Sequence, residues 1–524
     1  MKNLPRVTYS NTGEDFSLVH AHLDSIMADT EARLLGKSRP ALIAGRDRME
    51  GVVATAVSPI DRGIVLGEFP QAGADLVDEA ISAARKAYPS WRDLGWPRRV
   101  EILRAAAEAL EELKWDMSIA CLVEVGKSRL EAVGEVEEAI DLIRHYCSEM
   151  ERTDGYREVK AGASEAESCS VVLRPYGVFA VIAPFNFPVA LSIGMISAAL
   201  VTGNTVVFKP SESAGLTGRL LVEALVAGGL PDGVLGLVHG GELTGEVLVD
   251  HPGVDGFAFT GSNAVGMSIL RKAASSRAMR PVLAEMGGKN PAFVTASADL
   301  SVAASGVARS AFGLSGQKCS ALSKVYVASD VMDDFLGVLL ETAGKLVVGD
   351  PRKRETFMGP VIDDPALGRF KEASSEASAA GTILLGGERL QGGLFDLGPY
   401  VQPTIVSGLA GDHRINVDEL FLPYVSVLPF DDLEEAISEA NRSAYGLTAG
   451  IYTRDRGELD QFLERIEAGV LYANRSSGAT TGAWPGFQTF CGWKGSGITG
   501  KGGLGSWYVP QFMREQSHTI FGSL

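Results

Sequence analysis

G-V-F-A-V-I-A-P-F-N-F-P, residues 177–188, is an apolar run broken by a tight polar turn, and four similar runs follow it. They are T-V-V-F-K (205–209), V-L-G-L-V (234–238), F-A-F-T (257–260) and P-V-L-A-E (281–285). Stretches with helical spacing begin between them, near Val189, Ser213, Leu243 and Ala264. Runs without polar alternation suit strands covered on both faces, and helical crossovers make such a sheet parallel. In sheets of this kind ligands lie beyond the carboxyl ends of the strands. Chemistry-bearing residues stand there: A-P-F-N-F-P after the first run, K-P-S-E after the second, F-T-G-S after the fourth and E-M-G-G-K-N-P after the fifth.

A chain of 524 residues exceeds one hydrophobic core, so two or three units are expected. The 46% hydrophobic content and 61 glycines fit an α/β enzyme with many tight turns. A net charge of −17 repels nucleic-acid phosphates and anionic membranes, and excludes both as expected partners. Neither a secretory leader nor an eighteen-residue apolar run is present, so a cytoplasmic location is expected. The five cysteines form no C-x-x-C pair, which indicates neither a disulfide framework nor a metal site.

Around the parallel unit, residues 1–50 read as a surface arm with one helix over 16–35. Helical spacing then begins at Leu76 and is expected to end at Pro89. A second helix starts at Pro97, and a third spans about 128–150. Residues 151–170 are small and polar, a solvated hairpin or linker, or an arm toward a partner. A second strand-helix series runs from Ala292 to about Tyr472.

A-F-G-L-S-G-Q-K-C-S-A (311–321) places Cys319 beside the flexible pair Ser315 and Gly316. A thiol in small, polar surroundings is open to substrate, whereas an isolated cysteine is more often core packing. As a nucleophile on an aldehyde it needs an oxyanion donor, a hydride acceptor and a base for the deacylating water. Asn186 offers an amide donor and Glu285 a carboxylate; singly, they also read as an Asx-turn residue and a surface carboxylate. Lys209 and Glu212 close a strand where a ribose can lie, and a carboxylate there favours NAD over NADP. Gly261 and Ser262 open a helix containing Gly266, whose N-terminal N–H groups suit a pyrophosphate.

Taken in order, P-F-N-F-P, F-K-P-S-E, F-T-G-S, L-A-E-M-G-G-K-N-P, G-Q-K-C-S-A, E-L-F-L-P and N-R-S-S-G-A resemble the aldehyde dehydrogenase superfamily from about Ser58 onward. The resemblance implies an α/β fold: a Rossmann-like NAD domain, an α/β catalytic domain and a small β oligomerisation flap. It divides the chain into 1–150 (N-terminal arm and first part of the NAD domain), 151–170 (oligomerisation arm), 171–287 (NAD domain), 288–485 (catalytic domain) and 486–524 (C-terminal loop and oligomerisation strand). It implies a homodimer or homotetramer. Cys319 becomes nucleophile, Glu285 base and Asn186 oxyanion residue. Lys209, Glu212, Gly261, Ser262, Gly266, Glu419 and Phe421 become NAD contacts.

Within the superfamily the chain is most similar to the 1-pyrroline-5-carboxylate dehydrogenase branch, which oxidises glutamate γ-semialdehyde. There Ser320 with Gly478 and Ala479 would hold the α-carboxylate, and Phe187 and Phe490 would sandwich the aliphatic chain. The E-V-E-E-A-I-D run from Glu135 also resembles that branch; by its charge pattern alone it is a solvated helix face. The loop T-T-G-A-W-P-G-F-Q-T (480–489), Leu422, Cys491 and the segment after Lys501 depart from the branch. They leave a bulkier aromatic or aliphatic aldehyde as the alternative substrate.

Overall fold

The computed structural model describes residues 4–276, 278–477 and 480–522. Two seven-stranded sheets carry the architecture. The first holds β1 (Ala41–Ile43), β2 (Arg46–Arg48), β3 (Val178–Ile182), β4 (Thr205–Lys209), β5 (Leu235–Leu237), β6 (Gly256–Gly261) and β7 (Val282–Met286). Its order is β7-β6-β3-β4-β5-β1-β2, parallel from β7 to β5 and antiparallel at β1 and β2. The order in which strands are added therefore reverses between β3 and β6, the switch point where doubly wound sheets open a crevice. The central strands are buried throughout, as their unbroken apolar runs require.

The second sheet holds β8 (Asn290–Val294), β9 (Leu322–Ala328), β10 (Thr382–Leu385), β11 (Thr404–Ser407), β12 (Tyr424–Phe430), β13 (Thr448–Tyr452) and β14 (Val470–Ala473). Its order is β10-β11-β12-β9-β8-β13-β14, with only the β10–β11 pair antiparallel. Only Gly287–Lys289 separate β7 from β8, so the two sheets meet at the E-M-G-G-K-N-P motif.

Helices α1 (Ser17–Leu34), α2 (Ala74–Asp93), α3 (Trp96–Glu112), α4 (Lys114–Val125) and α5 (Arg129–Arg152) precede β3. The expected stop at Pro89 is corrected: α2 continues through it to Asp93. Trp91 anchors that last turn, being buried and donating its indole N–H to the Leu200 carbonyl at 3.1 Å. The expected surface arm is corrected too. Val7, Tyr9 and Phe16 are buried, and β1 is a covered strand of the first sheet. Between the strands of the first sheet lie α6 (Ala190–Val201), α7 (Gly215–Ala227), α8 (Glu242–Asp250) and α9 (Asn263–Ala274), and α10 (Leu300–Phe312) follows β8. Of the readings of 151–170, a hairpin is what forms: Arg157–Ala161 pairs with Glu167–Pro175, and Met513–Phe521 of the same chain adds to Glu167–Pro175 over nine positions. Among the described residues no helix is long and apolar enough to cross a membrane.

Candidate active site

The loop between α10 and β9 is where the thiol is set. Leu314, Ser315 and Gly316 all have positive φ, at 49°, 54° and 67°. Three consecutive left-handed residues, two of them with side chains, are a strained conformation that persists only when its surroundings dictate it. The surroundings do so. Ser315 Oγ donates to the carbonyls of Gly359 (2.8 Å) and Pro360 (3.2 Å), and the Gln317 amide oxygen accepts from Ile362 N–H at 2.8 Å. A Cβ on Gly316 would lie 2.1 Å from the Leu422 carbonyl oxygen. The expectation of a flexible pair is thus corrected: Ser315 and Gly316 are buried and pinned. From β8, Asn290 completes the mount. Its Nδ2 donates to the carbonyls of Cys319 (2.7 Å) and Ala321 (2.9 Å), and its Oδ1 accepts from Thr448 N–H at 3.0 Å.

Cys319, partly exposed, lines two cavities at once. The larger, about 850 Å³, is a groove at the β3–β6 switch point. Asn186 stands on its wall, buried, and with it Lys209, Glu212, Gly261, Ser262, Glu419 and Phe421. Ser262 caps α9, whose first N–H groups open onto the groove. Lys209 Nζ donates to the carbonyls of Pro210 (3.0 Å) and Gly240 (2.7 Å), and burial draws its pKa down to about 8. Glu419 accepts the Gly288 N–H at 3.0 Å, and burial raises it to about 7. Phe421, at φ 56°, meets Phe185 edge-on at 5.9 Å.

Glycines keep this groove open. A Cβ on Gly287 would fall 1.9 Å from Glu419 Oε2, and one on Gly241 would fall 2.5 Å from Glu212 Oε2. An elongated cavity with a helix N-terminus, a buried lysine and a carboxylate at one end fits a dinucleotide. Gly266 is a correction: it is not on the groove wall. It faces β7, where a Cβ would lie 2.5 Å from Met286 Sδ, so the glycine serves close helix–sheet packing.

The smaller cavity, about 120 Å³, lies on the other side of Cys319. Phe187, Ser320 and Phe490 line it, with Glu285, Thr481, Ala483 and Tyr9. Gly478 and Ala479 lie outside the described residues. Glu285 Oε2 is enclosed without a hydrogen-bond partner among the described residues. Burial pushes its pKa up to about 8 against a lowering contribution from the Gly492 N–H. The Cys319 thiol is pushed up to about 12, first by burial and then by the carboxylates of Glu419 and Glu285.

Several residues here were not foreseen. The E-V-E-E-A-I-D run is corrected from a solvated face to a buried one: Glu135, Glu137 and Glu138 are 0%, 4% and 8% exposed. Glu135 pairs with Lys127 and accepts the N–H groups of Val189 (2.7 Å) and Ala190 (3.2 Å), fixing the start of α6 next to Phe187. Lys127 Nζ lies 3.5 Å from the centre of the Phe187 ring. Trp484 turns its indole N–H to Asp141 at 2.9 Å and packs edge-on against Tyr9 at 5.4 Å. Asn290, Ser315 and Gln317 carried no sequence signal beyond their motifs. Tyr9, some three hundred residues before Cys319, carried none.

Fold and site together define a dinucleotide-dependent oxidoreductase built from two α/β units. The chain belongs to the aldehyde dehydrogenase family, which it matches over residues 49–517. It is 36% identical over 474 residues to 1-pyrroline-5-carboxylate dehydrogenase of Geobacillus thermodenitrificans (strain NG80-2), covering 90% of each chain. Among solved structures it resembles 1-pyrroline-5-carboxylate dehydrogenase from Thermus with bound NAD, at a TM-score of 0.91 and 32% identity over 99% of this chain and 100% of that one. Proline utilization A from Bdellovibrio bacteriovorus aligns at a TM-score of 0.90 and 33% identity over 96% of this chain. This chain spans about half the length of that longer protein, 52% of it.

Proposed function

We propose that this enzyme oxidises L-glutamate γ-semialdehyde, the open form of 1-pyrroline-5-carboxylate, to glutamate with NAD. The single observation that carries the reading is that Cys319 lies on the wall shared by a dinucleotide-sized groove and a small cavity.

The Cys319 thiol gives up its proton to solvent as its sulfur adds to the aldehyde carbon, forming a C–S bond and moving the carbonyl electron pair onto oxygen. The Asn186 amide and the Cys319 N–H donate to that oxyanion; one such donor is typically worth about a hundredfold to a thousandfold in rate. NAD, when bound, supplies the hydride acceptor, and Lys209, Glu212, Gly261, Ser262, Glu419 and Phe421 are the residues that would hold it. Collapse of the oxyanion re-forms the carbonyl as the aldehyde C–H bond breaks and its hydrogen leaves as hydride to that acceptor, and a thioester remains on Cys319. Glu285 takes a proton from water, the hydroxide adds to the thioester carbon, and the C–S bond breaks to release the carboxylate. Glu212 disfavours a ribose 2′-phosphate by like charge, which supports NAD over NADP.

Phe187 and Phe490 clasp the aliphatic chain and Ser320 receives the α-carboxylate, in line with the names of the similar enzymes. A cavity of about 120 Å³ favours a short aldehyde over a bulky aromatic one. We further propose a cytoplasmic homodimer or homotetramer. The fully exposed strand Arg157–Ala161 supports association through the three-stranded sheet, and five free cysteines suit a reducing compartment. The NAD domain takes 171–287 with the preceding helices, and the catalytic domain takes 288–485.

Cys319→Ala tests the reading: NADH production from glutamate semialdehyde should vanish while NAD still binds with unchanged affinity. Retained turnover would place the nucleophile elsewhere.

A further inference from the structure

A third cavity, about 230 Å³, adjoins the aldehyde cavity, and Tyr9, Phe187 and Lys318 line both. Its remaining wall is strongly charged. Arg129, Arg309, Lys318 and Arg354 face only Glu131 and Glu355 among the carboxylates that line it. This is a cationic spot in a protein of net charge −17. Arg129 is spoken for: it pairs with Asp24 at 2.5 Å and donates to the carbonyls of Arg352 and His20. Lys318 pairs with Glu131 at 2.5 Å. Arg309 is not matched in this way. It projects from the last turn of α10, its guanidinium lies 5.5 Å from the Phe357 ring centre, and its Nε is enclosed without a hydrogen-bond partner among the described residues. Arg354, exposed at the rim, donates to Ser17 Oγ at 2.8 Å and to no other side chain among the described residues.

A buried guanidinium donor without an acceptor is costly to keep, and a planar carboxylate is the group that matches its fork. The partition between the two cavities is made of side chains that line both, Tyr9, Phe187 and Lys318. Tyr9 is held by its hydroxyl to Glu138 at 2.7 Å and rests edge-on against Phe187 at 6.2 Å.

We propose that this cavity is a vestibule that receives carboxylate-bearing aldehydes, with Arg309 and Arg354 as its anion-binding groups and Tyr9, Phe187 and Lys318 as the partition to the reaction cavity. It rests on the reading of the substrate as an aldehyde with a carboxylate, and deepens it by naming where that carboxylate is first met. Arg309 and Arg354 touch no reacting atom, so they act on substrate capture and not on the chemical steps.

The test uses the full-length enzyme with three probes: L-glutamate γ-semialdehyde, 5-oxopentanoate and pentanal. Arg309→Gln and, separately, Arg354→Gln are compared with wild type. Weaker electrostatic capture of the carboxylate predicts that kcat/KM for 5-oxopentanoate relative to pentanal falls about tenfold in Arg309→Gln, mainly through KM. Arg354→Gln should lower the ratio in the same direction, and Arg309→Lys should restore part of it. A merely structural role would lower both aldehydes together and leave the ratio unchanged. Should Arg309→Gln fail to fold, the exposed Arg354→Gln alone decides. A wild-type preference for the carboxylate probes that survives intact in the folded variants overturns the vestibule alone. A wild type that prefers pentanal overturns the substrate reading and the vestibule with it.

Discussion

Ionisation of Glu285 should set the pH dependence of turnover. Its carboxyl is raised to about 8 because burial opposes the charged form, and one oxygen has no hydrogen-bond donor among the described residues to offset that. A general base works only when deprotonated, so the sign is fixed: turnover rises with pH through the folded-state pKa. With a pKa of about 8, about 10% of the enzyme carries the ionised base at pH 7 and about 90% at pH 9, roughly a ninefold difference. The assay is stopped-flow NADH absorbance from pH 6 to 9.5 at saturating NAD and aldehyde, separating the first turnover from the steady state. The steady-state rate should climb across that window while the amplitude of the first turnover changes little. In Glu285→Gln the first turnover should persist and the steady state should collapse and lose its pH dependence. A steady-state rate independent of pH between 7 and 9 in the wild type, or a Gln variant that keeps the wild-type climb, would remove Glu285 from the role of base.

Two further substitutions probe the mount of the thiol. Asn290→Ala leaves the carbonyls of Cys319 and Ala321 and the Thr448 N–H without their partner, so unfolding free energy measured in urea should drop by about 1–3 kcal/mol or more; kcat should fall about tenfold as the loop loses its register, and wild-type kcat would show that Asn290 does not position Cys319. Gly316→Ala forces a Cβ onto a left-handed residue 2.1 Å from the Leu422 carbonyl oxygen, and a loss of about 3 kcal/mol is expected in the same titration, with an undisturbed midpoint counting against the pinned loop.

The parts legible in the sequence are those in which one segment alone carries the physical signal. The five apolar runs became β3 to β7 because a strand covered on both faces has no room for polar alternation, and the chemistry-bearing turns fell at their carboxyl ends. Errors arose wherever a distant segment decides. Glu135 reads as a surface carboxylate on a charged helix until Lys127 and the α6 N-terminus are brought against it. Ser315 and Gly316 read as flexible, since glycine's conformational freedom is local, while the carbonyls of Gly359, Pro360 and Leu422 that freeze them are not. Pro89 reads as a stop, yet Trp91 seats its indole two residues later and holds the helix through it. Tyr9 lies outside the residues that match the family, and only tertiary packing brings it to the aldehyde cavity.

Four ionisable groups lining the cavities at Cys319 are drawn toward neutrality by the same cause. Burial lowers Lys209 to about 8 and raises Glu419 to about 7, Glu285 to about 8 and the thiol itself to about 12. A thiol with so high a pKa is almost wholly protonated at neutral pH and is poorly reactive toward stray electrophiles. The two nearby carboxylates deepen that protection when they ionise, because like charge opposes a thiolate. The same geometry makes the site responsive to positive charge. A cation placed in the groove between Cys319 and Glu419 meets both a carboxylate and a sulfur in surroundings of low dielectric, where its attraction for the thiolate is screened far less than in water.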